Sequence, residues 1–372
     1  LMSNFPYAVI SDTHNHNWSA FSETTPENVN SRLQIILNET MRAAEEVKAM
    51  GGTHLYHTGD LFHVRGSISP SVLNPTIATY KVIQQLLGIK VRILAGNHDL
   101  EFREANRNGS AVTALEGIGC EIINETSLFL DERVAMIPWF QDVNELKSEI
   151  ERVKLQINST PSLPPLRSME SVSDWTLMIH APVDGVIAGI PSHGLSASWL
   201  GEQGFKHVFS GHYHHHKNFG NGVYSVGALT HNSWSDVNSD AGFLLVNDSK
   251  VTWRCSHAPQ FVEIDGSMSE VDMALKASGN YVRCTVNSSA KQSDIETIRQ
   301  FLMDNNAKGV VILSQKKIVE VEREEVSSIK AGASLEVSIN DFVSKMGIGS
   351  KADDLSKLCL SILEKARMEV VE

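Results

Sequence analysis

The chain has 372 residues, a formal net charge of −12 and four cysteines. That length suggests one large core with smaller additions, and the acidic balance argues against indiscriminate DNA binding, because a negative surface repels phosphate at long range. No run resembles a transmembrane span or a signal peptide, and Cys120, Cys255, Cys284 and Cys359 lack a paired spacing, so the expectation is an intracellular (cytoplasmic) protein whose thiols are buried and free.

In chain order, residues 7–11 are a short apolar run of the kind that makes a buried strand, and Asp12-Thr13-His14 follows it directly. A helical stretch over residues 29–50 precedes a strand at 53–57 that ends at Gly59-Asp60. A second helical stretch, 72–87, precedes a strand at 91–95 that ends at Gly96-Asn97-His98-Asp99. Residues 145–174 hold a polar helix and a Pro/Ser-rich surface excursion within the core. Residues 177–179 then lead into His180, and 207–209 into Gly211-His212-Tyr213-His214. Alternating strands and helices build a layered α/β sheet whose ligands gather at the carboxyl ends of its strands, so residues distant in sequence meet at one rim.

Each segment alone is commonplace. A D-x-H triplet is usually a surface turn, and a lone histidine after a strand is usually a core or surface residue. All five in order, each just after a predicted strand, are harder to dismiss. Asp12, His14, Asp60, Asn97, His180, His212 and His214 can hold two divalent ions around one shared carboxylate, and His98 is left over beside a ligand, free to move a proton. Such a pair of ions activates water and steadies the charge on a pentacoordinate phosphorus. A mixed oxygen and nitrogen donor set suits manganese or iron better than calcium, with magnesium a weaker substitute.

These segments resemble the motifs of the calcineurin-like metallophosphoesterases, over residues 7–246. Within that family they are most similar to the nuclease subunits of the SbcD and Mre-eleven type. Gly59-Asp60-Leu61-Phe62-His63 resembles that branch's G-D-L-F-H segment. Ser192-His193-Gly194-Leu195 precedes Gly211-His212-Tyr213-His214 much as in the smaller nuclease subunit of T-even phages. The resemblance implies a four-layer αββα sandwich, with Asp12, His14, Asp60 and His214 on a first ion and Asp60, Asn97, His180 and His212 on a second. It also implies His98 as general acid and His63 as a contact to the scissile phosphate. Arg65 is a candidate substrate contact, and His193 and His231 are candidate contacts to substrate or to a metal ligand, with Arg103, Arg107, Lys206 and Lys217 as basic guides for a phosphate backbone. His215 and His216 extend past the motif and are expected to be solvated.

After residue 259 the pattern changes. Strands at 261–264, 281–286 and 310–313, separated by helices near 271–277 and 294–303, form a small α+β module similar in layout to the branch's capping domain. Residues 319–336 are a charged linker, and 337–372 form two amphipathic helices, with apolar stripes at Ile339, Phe342, Val343 and Met346 and at Leu355, Leu358, Cys359, Ile362, Leu363 and Ala366. The division expected is thus 1–258, 259–318, 319–336 and 337–372. By the resemblance, the terminal helices dock on an SbcC-type coiled-coil ATPase, and the chain forms a homodimer that acts on DNA in end processing and recombination. A stand-alone phosphatase or cyclic-nucleotide phosphodiesterase on the same core is the alternative.

Overall fold

A computed structural model of the chain describes residues 6–101, 109–162, 168–315, 339–340, 342–343 and 352–369. Two six-stranded mixed sheets carry the core. The first has the order β12-β11-β1-β2-β3-β4, made of β1 (Tyr7–Ile10), β2 (His54–His57), β3 (Lys90–Leu94), β4 (Glu121–Ile123), β11 (Gly242–Asn247) and β12 (Lys250–Cys255). The second has the order β5-β6-β7-β8-β10-β9, made of β5 (Ser127–Phe129), β6 (Val134–Ile137), β7 (Thr176–His180), β8 (His207–Gly211), β9 (Lys217–Asn218) and β10 (Val223–Ser225). Strands β1 to β4 run parallel, as do β6, β7, β8 and β10.

Period-two alternation explains how the sheets stack. Val9, Tyr56 and Leu94 of the first sheet meet Met136, Met178 and Phe209 of the second in one buried cluster. Their neighbours Ala8, Ile10 and Leu55 face outward, onto α1 (Ser31–Ala49) and α2 (Pro70–Lys81). On the other side Ala135, Leu177 and Val208 pack on α3 (Val143–Asn158) and α4 (Ala197–Glu202). The result is four layers, helix, sheet, sheet, helix. Because both faces of each sheet are covered, the central strands read as unbroken apolar runs.

The helices start where local chemistry places them. Asn30 caps α1, its side chain accepting from the backbone N–H groups of Arg32 and Leu33. Pro70 opens α2, where its missing N–H costs nothing. The stretch expected as one helix to residue 87 ends instead in a π-helical turn, Val82–Leu86, which delivers the chain to β3.

The module after residue 259 differs from the α+β unit expected. Strands β13 (Phe261–Asp265), β14 (Tyr281–Val286) and β15 (Gly309–Ser314) are all parallel, joined by α5 (Glu270–Ala277) and α6 (Gln292–Asp304) over a core that includes Ile264, Cys284 and Leu302. The strand-helix-strand-helix-strand order accounts for it, since a helical crossover returns each strand parallel to the one before. The chain divides into two compact units, Leu1–Gln315 and Lys316–Glu372, so this module belongs to the first. In the second unit α7 (Ala352–Glu369) is helical as expected, with Leu358 and Ile362 exposed. The linker at 319–336, Met346 and the side chain of Ala366 lie outside the described residues.

None of the cysteines is paired; Cys120 and Cys284 are buried, whereas Cys359 is half-buried and Cys255 is exposed at the end of an outer strand. Among the described residues no helix is long and apolar enough to cross a membrane.

Candidate metal centre

Every ligand expected from the sequence stands at or just past the carboxyl end of a central strand, and the two sheets bring these ends together. Asp12 and His14 follow β1, Asp60 follows β2, Asn97 follows β3, His180 closes β7, and His212 and His214 follow β8. Asp12, His14, Asp60 and His212 all adopt positive φ, between 45° and 101°. Non-glycine residues rarely accept this conformation, and such strain collects at functional sites. Two glycines leave the room required. A Cβ on Gly96 would strike the Asp60 carboxylate, and one on Gly59 would strike the His180 ring.

Among the described residues three groups of side chains have ligand atoms close enough to share an ion: Asp12, His14 and His214; Asp12, Asp60 and His180; and His14, His63 and His98. Asp12 is common to the first two groups, and Asp60, a member of the second, reaches toward both, with Oδ2 3.4 Å from His180 Nε2 and 3.8 Å from His14 Nε2. Asn97 Oδ1 is 3.0 Å from both His180 Nε2 and His212 Nδ1. His14 Nε2 is 3.1 Å from His214 Nε2.

The donor set itself calls for a cation. His180 donates its Nδ1–H to the Thr58 carbonyl at 2.8 Å, so its Nε2 lone pair faces the oxygens of Asn97 and Asp60. His214 Nδ1 is 2.7 Å from Asp236 Oδ1, which turns its Nε2 toward His14. Acceptors that converge in this way repel unless a proton or a metal ion sits among them, and outer partners such as Thr58 and Asp236 are what fix a ligating imidazole. The residues therefore fit two divalent ions.

Electrostatics agree. Burial opposes ionisation of Asp60, but His180, His14 and His98 around it hold its carboxyl well below the usual range. Burial alone would lower His180 and His214, yet carboxylates outweigh it, chiefly Asp60 for the first and Asp236 for the second, and both rise to about 9. Burial lowers His212 to about 3, helped by His180, and holds His14 well below its ordinary value.

A pH dependence follows. A ligating imidazole must be neutral, and His180 and His214, raised to about 9, carry protons below that pH. Each ion should displace one of them. Affinity for each should therefore rise by about tenfold per pH unit toward pH 9 and level off above it. Calorimetry in buffers of different ionisation heat should find about two protons released per two ions at neutral pH, and no release would contradict these assignments.

His98 sits beside the ligands without being one of the two-ion set. Its backbone N–H donates to Asp60 Oδ1 at 2.8 Å, and its Nδ1 is 2.8 Å from the His63 carbonyl. The His63 and His98 rings stack at 5.7 Å and 13°, and burial, then His16 and His98, lower His63 to about 4. Arg65 is half-buried on the same loop.

Other candidates find different work. His193 is exposed and reaches the Tyr213 hydroxyl at 3.3 Å, one residue from His212. His231 is buried, with Nδ1 accepting from the Phe261 N–H and Nε2 close to the Ser239 carbonyl, so it joins the core to β13. His215 and His216 are half-buried rather than solvated, and His216 stacks on Trp253 at 5.6 Å. Lys206 pairs with Asp248, and Lys217 donates to the Gly185 carbonyl. Arg103 and Arg107 lie outside the described residues.

Two buried carboxylates were not anticipated. Asp99 accepts from the backbone N–H groups of Asp60, Phe62 and Gly96 at 2.8–3.0 Å, pinning the β2 and β3 loops to each other. It adjoins Asn97-His98, so its position was a signal. Asp236, which orients His214, lies twenty-two residues downstream in a short 3-10 turn, and nothing local marks it.

Compared with known proteins, residues 5–216 match the family described as calcineurin-like phosphoesterase. Among solved structures, a dimetal phosphatase from Danio rerio is similar over 68% of this chain and 97% of its own, at 11% identity and a TM-score of 0.40. No curated protein matches the sequence.

Proposed function

The chain belongs to the calcineurin-like phosphoesterase family, and from that premise we propose that its metal centre hydrolyses phosphodiester bonds in DNA, as the nuclease subunit of an SbcCD-type complex. Family membership carries metal-dependent phosphoester hydrolysis; the substrate and the complex are our reading. The observation that supports it most is the His63–His98 pair, held beside Asp60 by one backbone and one ring hydrogen bond. This pair belongs to the Gly59–His63 and Gly96–Asp99 segments that resemble the nuclease branch.

Two divalent ions at this centre would supply Lewis acidity and an activated water. Asp12, His14, Asp60 and His214 would hold one, and Asp60, Asn97, His180 and His212 the other. The chain's own contribution is to place these groups and to manage a proton. His98 can give its Nδ1–H to the His63 carbonyl, leaving Nε2–H for the departing alkoxide oxygen. His63, kept neutral at physiological pH by burial, offers a hydrogen bond to a phosphoryl oxygen without competing as a base. Recognition by such a site is of the backbone, not of base sequence.

A stand-alone phosphatase or cyclic-nucleotide phosphodiesterase is the second reading, favoured by the net charge of −12, which repels a polyanionic substrate. With manganese, single-stranded DNA, duplex DNA and an aryl phosphate compared on one preparation separate the two. Cleavage of DNA should far outpace hydrolysis of the aryl phosphate, and the reverse order would replace the nuclease with a phosphatase.

For the partner, the exposed Leu358 and Ile362 on α7 are the docking residues we propose for a coiled-coil ATPase. Burying each contributes roughly 1.5–3 kcal/mol, so Leu358→Asp with Ile362→Asp should abolish ATP-stimulated duplex processing while manganese-dependent cleavage of single-stranded DNA persists. Loss of that basal cleavage would assign the helix to the protein's own fold.

A further inference from the structure

Arg32, in the first turn of α1, is 4% exposed, and among the described residues its hydrogen-bond acceptors are backbone carbonyls, those of Asn232 (2.6 Å), His231 (3.3 Å) and Ala20 (3.4 Å). Its guanidinium also lies 5.0–5.6 Å from the ring centres of Trp18, Phe261 and Tyr281. A buried charge with no carboxylate in direct contact is costly, although the Asp236 carboxylate acts on it through space. What the guanidinium adds is direction, because its planar fork fixes several acceptors at once.

The groups it fixes lead to one side of the metal centre. Asn232 and Ser233 donate their backbone N–H groups to Asp236 Oδ2 at 2.6 and 2.9 Å, and Asp236 Oδ1 in turn holds His214. The Asn232 side-chain amide donates to the Asp12 carbonyl at 3.4 Å, and Trp18 Nε1 donates to the His14 carbonyl at 3.2 Å. Asp12, His14 and His214 are the ligands proposed for the first ion. Those peculiar to the second are Asn97 and His212, on the loops after β3 and β8, and His180, which closes β7; the two imidazoles converge on Asn97 Oδ1.

Two of the three rings around Arg32 come from the three-stranded module. Phe261 opens β13 and Tyr281 opens β14, and Tyr281 is itself stacked on Phe21 at 5.1 Å and 7°. The module therefore sits on the residue that holds the first ion's loops. We infer that Arg32 is a positioning residue for the first metal site, and that the module sets that site's affinity through Phe261 and Tyr281 without touching an ion. The inference rests on the ligand assignment proposed above.

Manganese titration of the full chain by calorimetry tests it, with the two binding phases assigned by His214→Ala for the first ion and Asn97→Ala for the second. In Arg32→Met the first phase should weaken about tenfold or more, the cost typical of losing an outer partner of a metal ligand, while the second stays within about twofold and the circular dichroism is unchanged. Arg32→Lys, which keeps the charge but not the fork, should recover part of the loss. Tyr281→Leu, altered only on the module side, should weaken the same phase. Parallel weakening of both phases in folded variants, or no change in either, would overturn the inference. If Arg32→Met does not fold, Tyr281→Leu decides alone by whether the first phase weakens. Fewer than two ions on the unaltered protein would instead overturn the ligand assignment, and the inference with it.

Discussion

Replacing Asp60 with asparagine is expected to empty both metal positions while leaving the fold intact. Asp60 is 2% exposed, and its carboxylate is the group that reaches toward His14 on one side and His180 on the other. Asparagine keeps the shape but removes the charge, and it sets an amide N–H₂ or a weak carbonyl donor where a bridging carboxylate stood. Both ions then lose a shared anionic ligand, and the loss in affinity should exceed the roughly 100-fold that loss of an outer partner costs. The backbone there is held independently, since Asp99 accepts the Asp60 and Phe62 N–H groups. Asn97→Ala should behave differently, weakening the second ion and sparing the first. Elemental analysis beside hydrolytic rate tests both variants, and two-ion occupancy in Asp60→Asn would refute the bridge.

His98→Ala should separate binding from chemistry. The side chain is outside the proposed two-ion set, and its ring partner is a carbonyl, that of His63. Its contact with Asp60 comes from the backbone N–H, which alanine retains. Both ions and near-normal DNA affinity should therefore survive. A general acid acts only as the leaving oxygen departs, so kcat should fall by about 10²- to 10⁴-fold with little change in KM. A leaving group that needs no proton, such as a nitrophenolate, should restore much of the rate. Unimpaired DNA cleavage by the variant would remove His98 from the mechanism.

The parts of this centre that were legible in the sequence share one cause. Central strands covered on both faces read as short apolar runs, so β1, β2, β3, β7 and β8 and the Asp, Asn and His residues at their ends could be placed from pattern. Asp60 and Asn97 were further marked by the glycines before them, which make room for neighbouring ligands. The supporting groups were not legible, because they are assembled by tertiary contact. Asp236 reaches His214 from a turn, Arg32 is one arginine in an amphipathic helix, and Asn232 resembles any loop asparagine. Side-chain surroundings were hidden for the same reason: His231 is occupied by Ser239 and Phe261, and His216, expected to be solvated, is half-buried against Trp253. The parallel order of β13 to β15 was within reach, because the helices read between these strands are crossovers that return the chain in the same direction.

The measurement that bears most directly on the account is anomalous diffraction from crystals grown with manganese. The account predicts two peaks roughly 3.5–4 Å apart, one among Asp12, His14, Asp60 and His214 and the other among Asp60, Asn97, His180 and His212, with the Asp60 carboxylate touching both. A single peak, or an ion seated on the His14, His63 and His98 rings with Asp60 unligated, would contradict it.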